Sequence, residues 1–469
     1  MVERTRLGAS FRDPSGFVFR RDGRLYRQVN LFHADDYDRL MASGLYETLT
    51  RQGLLVPHVE VVEDPADPTC AYKVLRPESV GFISYPYEWC FGQLRDAALL
   101  TLAVQRRALE LGQTLKDASA YNVQFSRGKP IFIDTLSFEE YREGEPWVAY
   151  QQFCRHFLAP LALMSKTDVR LGRLSCSHLD GVPLDLASKL LPMRSRLSPA
   201  LLLHIHFHSR SQSKHSGNPP KVDVSEPQPS RQGRFSRRAM LGLIESLEGA
   251  VSALEWEPKG TEWADYYDGN NTYSDKALET KSRIIAGYID RVKPSSVWDL
   301  GANNGRFSRI ASDRGVPTVA FDIDPACVEA NYRLVKKRAE TQILPLCVDL
   351  FNPSPAIGWR NRERESLEER GPADLVMALA LIHHLTIGGS LPVEMVADFF
   401  ANLGRWLIVE FVPPDDPQAR RLRAARTATH GDLDRERFER AFAVHFRVDQ
   451  REPVGDDGRA LYLLQRGDV

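Results

Sequence analysis

A chain of 469 residues is about three times the usual single-domain length, so two or three folded units are expected. Its 43% hydrophobic, 26% charged and 9% aromatic residues exclude a disordered chain, and 61 basic against 62 acidic residues argue against a nucleic-acid partner. No apolar run approaches the roughly 20 residues that span a bilayer, and the charged start MVERTRLGASFRDP lacks a signal-peptide core, so no membrane partner and a cytoplasmic chain are expected.

Residues 15–30, SGFVFRRDGRLYRQVN, alternate apolar and polar around Asp22 and Gly23, which predicts a hairpin with a two-residue turn. From 34 to 51, Tyr37, Leu40, Met41, Leu45 and Leu49 recur at helical spacing, with Gly53 as the C-cap. Strands are expected at 58–62 and 71–75, and a long helix at 91–111, ended by Gly112. The run LLLHIHFH reads as a strand with His204, His206 and His208 on one face. No further ligand follows at a telling distance, so a polar edge is preferred to a metal site and no metal is expected. The six cysteines, which include no CxxC pair, read as reduced thiols.

Residues 209–235 are rich in Ser, Gln, Pro, Lys and Arg and read as a linker between domains at 1–208 and 236–469. Arg231, Arg234, Arg237 and Arg238 read as the solvated start of the next helix. Ser236 caps that helix, and Met240, Leu241, Ile244, Leu247, Val251 and Leu254 form an apolar face expected to dock on the second domain. Five apolar segments then alternate with helical ones: SSVWDL, PTVAFDID, ILPLCVDL, ADLVMALAL and RWLIVEFV. The fold class expected is α/β: a doubly wound, mostly parallel Rossmann-like sheet, closed by an antiparallel edge hairpin between 445 and 465.

The first of these strands runs into GANNG and then a helix, the arrangement that places a ligand above the carboxyl edge of a parallel sheet. Gly301 and Gly305 frame three non-glycine residues after Asp299, so the spacing is not the GxGxxG that admits a dinucleotide pyrophosphate. An acid beside the loop suits the cationic end of S-adenosylmethionine. Asp322 ends the next strand, where an acid accepts hydrogen bonds from ribose hydroxyls, and Asp349 ends the third, within reach of an adenine amino group.

VWDLGANNGRFSRIA, FDID, ADLVMALALIHHL and LIVEFVPPDD resemble the successive motifs of class I S-adenosylmethionine-dependent methyltransferases, in an arrangement similar to a bacterial group that includes host-specific nodulation proteins. The resemblance covers about residues 263–469. It implies that S-adenosylmethionine is bound by Asp299, Gly301, Ala302, Asn303, Gly305, Asp322, Ile323, Asp349, Leu350 and Ala378. His383 and His384 follow the fourth strand on the ligand side, where an imidazole is able to take a proton, and Glu410 would orient the acceptor or a histidine. Trp263, Tyr266, Tyr267, Tyr273 and Lys281 read either as a lid over the cofactor or as a solvated helix with aromatic anchors.

In the first half, LKDASAYNVQF followed by GKPIFIDTLSFE sets Asp117, Asn122 and Asp134 at the spacing of the catalytic loop of protein and aminoglycoside kinases, which this stretch resembles. The resemblance implies an α+β domain of kinase-like form, with Glu47 in its early helix and a hinge at 84–89. Three departures count against phosphoryl transfer: no GxGxxG precedes it, Leu115 and Lys116 stand before Asp117, and the hairpin offers Arg27 where a lysine is usual. Lys73 falls after the Glu47 helix, out of order. The function expected is methyl transfer to a small-molecule acceptor, with the first domain aiding its recognition. A bifunctional kinase and methyltransferase, or a non-catalytic cofactor-sensing interaction protein, are the alternatives.

Overall fold

The turn at Asp22 and Gly23 forms as expected, with both residues in the left-handed region at φ 48° and 74°. It closes the hairpin of β2 (Gly16–Arg21) and β3 (Arg24–Asn30), and the computed structural model describes residues 5–207, 236–258, 275–424, 433–455 and 457–467. With β1 (Thr5–Arg6), β4 (His58–Glu60) and β5 (Ala71–Pro77) the hairpin makes a five-stranded antiparallel sheet in the order β1-β2-β3-β5-β4. The helix expected at 34–51 is broken into α1 (Ala34–Ala42) and α2 (Leu45–Arg51) by Gly44 at φ 77°. That conformation is open to glycine at little cost, so the chain turns where periodicity alone reads straight through.

The long helix α3 (Phe91–Glu110) follows, ended by Gly112 at φ 76°. After it, β6 (Gln113–Leu115) pairs with β9 (Phe138–Glu140), and β7 (Val123–Ser126) forms a hairpin with β8 (Lys129–Phe132). The histidine run is not a strand: Leu202–Phe207 is a π-helix. His204 bonds Tyr150 and Ser246 at 2.8 and 2.9 Å, and His206 bonds Ser188 and Ser195 at 2.8 and 2.9 Å, so both rings are held by hydroxyls. His208, the linker at 209–235, Arg231, Arg234, Trp263, Tyr266, Tyr267 and Tyr273 lie outside the described residues.

The chain divides into two units, Met1–Trp256 with Ile357–Arg364, and the remainder from Glu257. The helix Arg237–Ser252 is capped by Ser236, whose hydroxyl accepts the Ala239 N–H, and it belongs to the first unit. Its Glu248 takes a bidentate contact from Arg106 on α3, at 3.4 and 2.6 Å. The expected docking on the second domain and the boundary at 236 are thereby corrected. An apolar helical face shows that a partner exists without saying which one.

In the second unit the five expected strands form β10 (Val297–Leu300), β11 (Thr318–Asp322), β12 (Ile343–Cys347), β13 (Ala373–Ala378) and β14 (Gly404–Phe411), all parallel. The tail adds β15 (Phe446–Pro453) and β16 (Ala460–Arg466), giving the order β12-β11-β10-β13-β14-β16-β15. β16 runs antiparallel to β14, so the last strand is inserted and β15 takes the edge. Val297, Leu375, Met377, Ile408, Leu461 and Leu463 pack under the helix Asp275–Val292 through Ile285, Tyr288 and Ile289. On the opposite face Phe438, from the helix Arg435–Ala443, lies 5.1 Å from the Tyr462 ring, so helices cover both faces. Among the described residues no helix is long and apolar enough to cross a membrane.

Candidate active site

Strand order reverses between β10 and β13, the point on the carboxyl edge where open parallel sheets bind their ligands. Gly301 and Gly305 take φ of 73° and 76°, and Asn303 between them takes 50°. Asn303 is a residue type that tolerates this region, so the turn needs no further glycine. A Cβ on Gly305 would lie 2.5 Å from Asn331 and 2.7 Å from Arg309, and one on Gly301 would press Leu381 of the second loop at 3.3 Å. Both glycines are therefore required by conformation and by space.

Asp322 ties this turn to β11: one of its oxygens accepts the Asn303 N–H at 2.7 Å, the other the Asp324 N–H at 2.9 Å. Burial pushes its pKa up to about 6 against those two bonds. Asp299 is buried beneath the turn and accepts the Ser308 hydroxyl at 2.6 Å. Burial pushes it up to about 7, with Ser308 and the charge of Lys281 pulling the other way. Asn304 Oδ1, inside the turn, is a buried acceptor with no hydrogen-bond partner among the described residues.

The other sequence-predicted binding residues spread along the same edge. Ala302 packs its methyl into a small core with Ala320, Val335 and Ile343, so only its backbone is left for a ligand. Ile323 is about half exposed just after Asp322, and Ala378 is fully buried at the end of β13. Asp349 is half-buried, its oxygen accepting the Phe351 N–H at 2.9 Å, with Leu350 half-buried beside it.

The second loop departs from β13 through Ala380, a non-glycine residue at φ 49°. Its N–H donates to Glu410 at 2.8 Å, and the same oxygen takes the ammonium of Lys281 at 2.7 Å. The other Glu410 oxygen meets Arg459 at 3.4 Å, and Arg459 also grips Asp416 at 3.0 and 2.6 Å. All four side chains are buried. Glu410 thus supports the loop, and Lys281 is its buried counter-ion. The sequence signalled that a carboxylate in an apolar strand needs a partner. It did not show that the partners lie 129 and 49 residues away.

His383 and His384 follow with ring centroids 4.2 Å apart. His383 is buried and its Nδ1 has no hydrogen-bond partner among the described residues. Burial holds its pKa well below the usual imidazole range, with His384, Arg459 and Lys281 acting in the same direction, and burial lowers His384 to about 4. Both rings are neutral near pH 7. Among the described residues no group of three His, Cys, Asp or Glu is placed to hold a metal ion.

In the first unit the β7–β8 hairpin brings Asn122 and Asp134 together, with Ile133 N–H donating to Asn122 O at 2.8 Å. Asn122 Nδ2 donates to Ser137 Oγ at 3.2 Å, and Ser137 donates to Asp134. Asp117 accepts the Ser119 N–H at 2.8 Å, and burial raises its pKa. Among the described residues Glu47 is exposed and pairs with Arg51, Lys73 pairs with Glu60 at 2.7 Å, and it is Arg27 on β3 that pairs with Asp134. Among the described residues Lys73 and Glu47 form no ion pair with each other.

No protein-family model matches the chain. It is 34% identical over 472 residues to nodulation protein NoeA of Rhizobium meliloti (strain 1021), covering 99% of this chain and 96% of that one. The chain belongs to the NoeA family. Solved structures similar to this NoeA relative include N-methyltransferase NodS from Bradyrhizobium japonicum WM9, at 11% identity over 42% of this chain and 99% of that one, TM-score 0.31. Magnesium protoporphyrin IX methyltransferase from Synechocystis PCC 6803, with bound SAH, matches at 14% identity over 43% of this chain and 90% of that one, TM-score 0.31. The bifunctional kinase-methyltransferase WbdD matches at 16% identity over 46% of this chain and 45% of that one, TM-score 0.31.

Proposed function

We propose that this NoeA relative is an S-adenosylmethionine-dependent methyltransferase acting on a small-molecule acceptor. The observation that carries the reading is the left-handed turn at 301–305, at the point where strand order reverses, fastened by Asp322 and underlain by Asp299. The residues present fit that cofactor: the turn has no room for side chains, Asn304 Oδ1 is an unsatisfied buried acceptor, and a buried carboxyl lies below for a cationic group. The bound cofactor supplies a methyl group on a sulfonium, which leaves by in-line displacement, so positioning matters more than a covalent intermediate.

Each group of the chain has a separable task. Gly301 and Gly305 let the backbone approach the ligand, Asp299 balances its positive end, and Asp322 holds the turn while its remaining lone pairs face the ribose. Asp349, Ile323, Leu350 and Ala378 line the adenine side of the edge. The loop braced by Glu410 carries Leu381 against Gly301, and His383, two residues further on, would accept a hydrogen bond from the acceptor at its neutral Nδ1. Neutral imidazoles with lowered pKa orient a nucleophile better than they hold its proton.

Incubation of the protein and a small-molecule cell extract with methyl-labelled S-adenosylmethionine tests the reading. Label is expected in a small molecule, reduced at least about ten-fold by His383→Ala with cofactor binding retained. Label confined to protein or nucleic acid would contradict the small-molecule acceptor. We further read the first unit as a kinase-like fold that aids acceptor recognition, supported by the juxtaposition of Asp117, Asn122 and Asp134 after a five-stranded sheet. Its pairing of Arg27 with Asp134 disfavours the bifunctional alternative.

A further inference from the structure

Before residue 208 the first unit presents a face that takes no part in the sites above. Met193–Leu197 is a stretch of 3-10 helix, followed after a short turn by the π-helix Leu202–Phe207. His206 ties the two together, its ring held between Ser188 and Ser195 at 2.8 and 2.9 Å. Ser195 therefore faces inward and is buried. With about three residues per turn, side chains three apart eclipse, so Met193 stands over Arg196 and Arg194 over Leu197 in two outward rows. Each row joins one long apolar side chain to one guanidinium. Met193 and Leu197 are 72% and 84% exposed, and Leu203 and Phe207 on the π-helix 49% each. Large apolar side chains gathered in the open mark an interaction surface.

Charge decides what kind of surface this face complements. Arg194 and Arg196 are exposed and form no ion pair among the described residues. The sequence holds no Asp or Glu from 186 to 207, and the acid just before that run, Asp185, is paired with Lys189 at 3.5 Å. A second copy of this face would bring the same positive charge against it. So would the chain that follows, where Arg210, Lys214 and Lys221 precede the next acid, Asp223. A bilayer containing anionic lipids matches both properties: its acyl boundary takes the tips of Met193 and Leu197, and its headgroup phosphates take the guanidinium forks. Lying on a bilayer needs no spanning helix, so the expectation of no membrane partner, drawn from the want of a long apolar run, does not bear on this face. We propose that Met193–Leu197, with the exposed flank of Leu202–Phe207, docks the first unit reversibly on an anionic lipid surface.

The test sediments the full-length chain with vesicles of phosphatidylcholine alone and of phosphatidylcholine mixed with phosphatidylglycerol. The chain is expected to pellet with the mixed vesicles, at least about five-fold less with the neutral ones, and less again as salt is raised from about 0.1 M to about 0.5 M. Two double variants separate the contributions: Met193→Ser with Leu197→Ser removes the apolar tips, and Arg194→Gln with Arg196→Gln removes the charge. Each is expected to lower binding to the mixed vesicles at least about five-fold while keeping the wild-type Tm, since all four side chains are exposed. Binding to neither vesicle, equal binding to both, or undiminished binding by either double variant would overturn the proposal. So would a dimer of the wild type that Met193→Ser with Leu197→Ser abolishes, which would assign the face to a second copy.

Discussion

At the scale of single residues, Asp299 makes a test by pH. Its pKa is raised to about 7 from an ordinary carboxyl near 4, so between those values the folded chain binds more protons than the unfolded one. Stability from this group therefore falls as pH rises through that window. A cationic ligand reverses the preference by favouring the carboxylate. S-adenosylmethionine affinity is expected to rise from pH 5.5 to 8, and Asp299→Asn to flatten that rise; a wild-type affinity independent of pH would remove Asp299 from the cationic end. Gly305→Ala places a Cβ 2.5 Å from Asn331 at a φ of 76°, and is expected to cost about 1–3 kcal/mol and to abolish cofactor binding. Chemical denaturation and calorimetry on one sample separate the two effects.

At the scale of elements, the loop after β13 depends on the buried pair of Lys281 and Glu410 more than on its own sequence. Lys281→Met leaves Glu410 with less than its full charge balance and is expected to cost about 3–5 kcal/mol, a fall in Tm of roughly 10 °C. A Tm unchanged in scanning calorimetry would show the pair to be dispensable. The strands of the second unit were legible because buried parallel strands read as continuous apolar runs between helices, and the glycine turn because conformation limits its residues. The break at Gly44 was hidden by unbroken periodicity on either side. The histidine run misled because alternation in three short steps fits a strand, while Leu202–Phe207 forms a π-helix in which hydroxyls satisfy both described rings.

At the scale of the whole molecule, the two halves differ in how much of them a sequence discloses. In the second, Asp299, Gly301, Gly305 and Asp322 are linked by strand order, so local pattern and site coincide. In the first, Arg27 and Asp134 are 107 residues apart, and the pairing that decides between a metal site and a filled one is a tertiary fact. The helix Arg237–Ser252 makes the same point, since its contact with Arg106 assigns it to the first unit. Leu247→Ala is expected to cost about 2–5 kcal/mol of that unit's stability and to leave S-adenosylmethionine affinity unchanged; a loss of affinity would count against its assignment.

The most direct measurement is calorimetric titration of the full-length chain with S-adenosylmethionine and, in parallel, with NAD. One molecule of S-adenosylmethionine bound per chain, weakened at least about ten-fold by Asp322→Asn because both of its oxygens accept backbone N–H groups, is the expected result. NAD should give no heat, because the turn lacks the glycine that admits a pyrophosphate. Binding of NAD instead, or of neither, would contradict the assignment of the 299–305 turn.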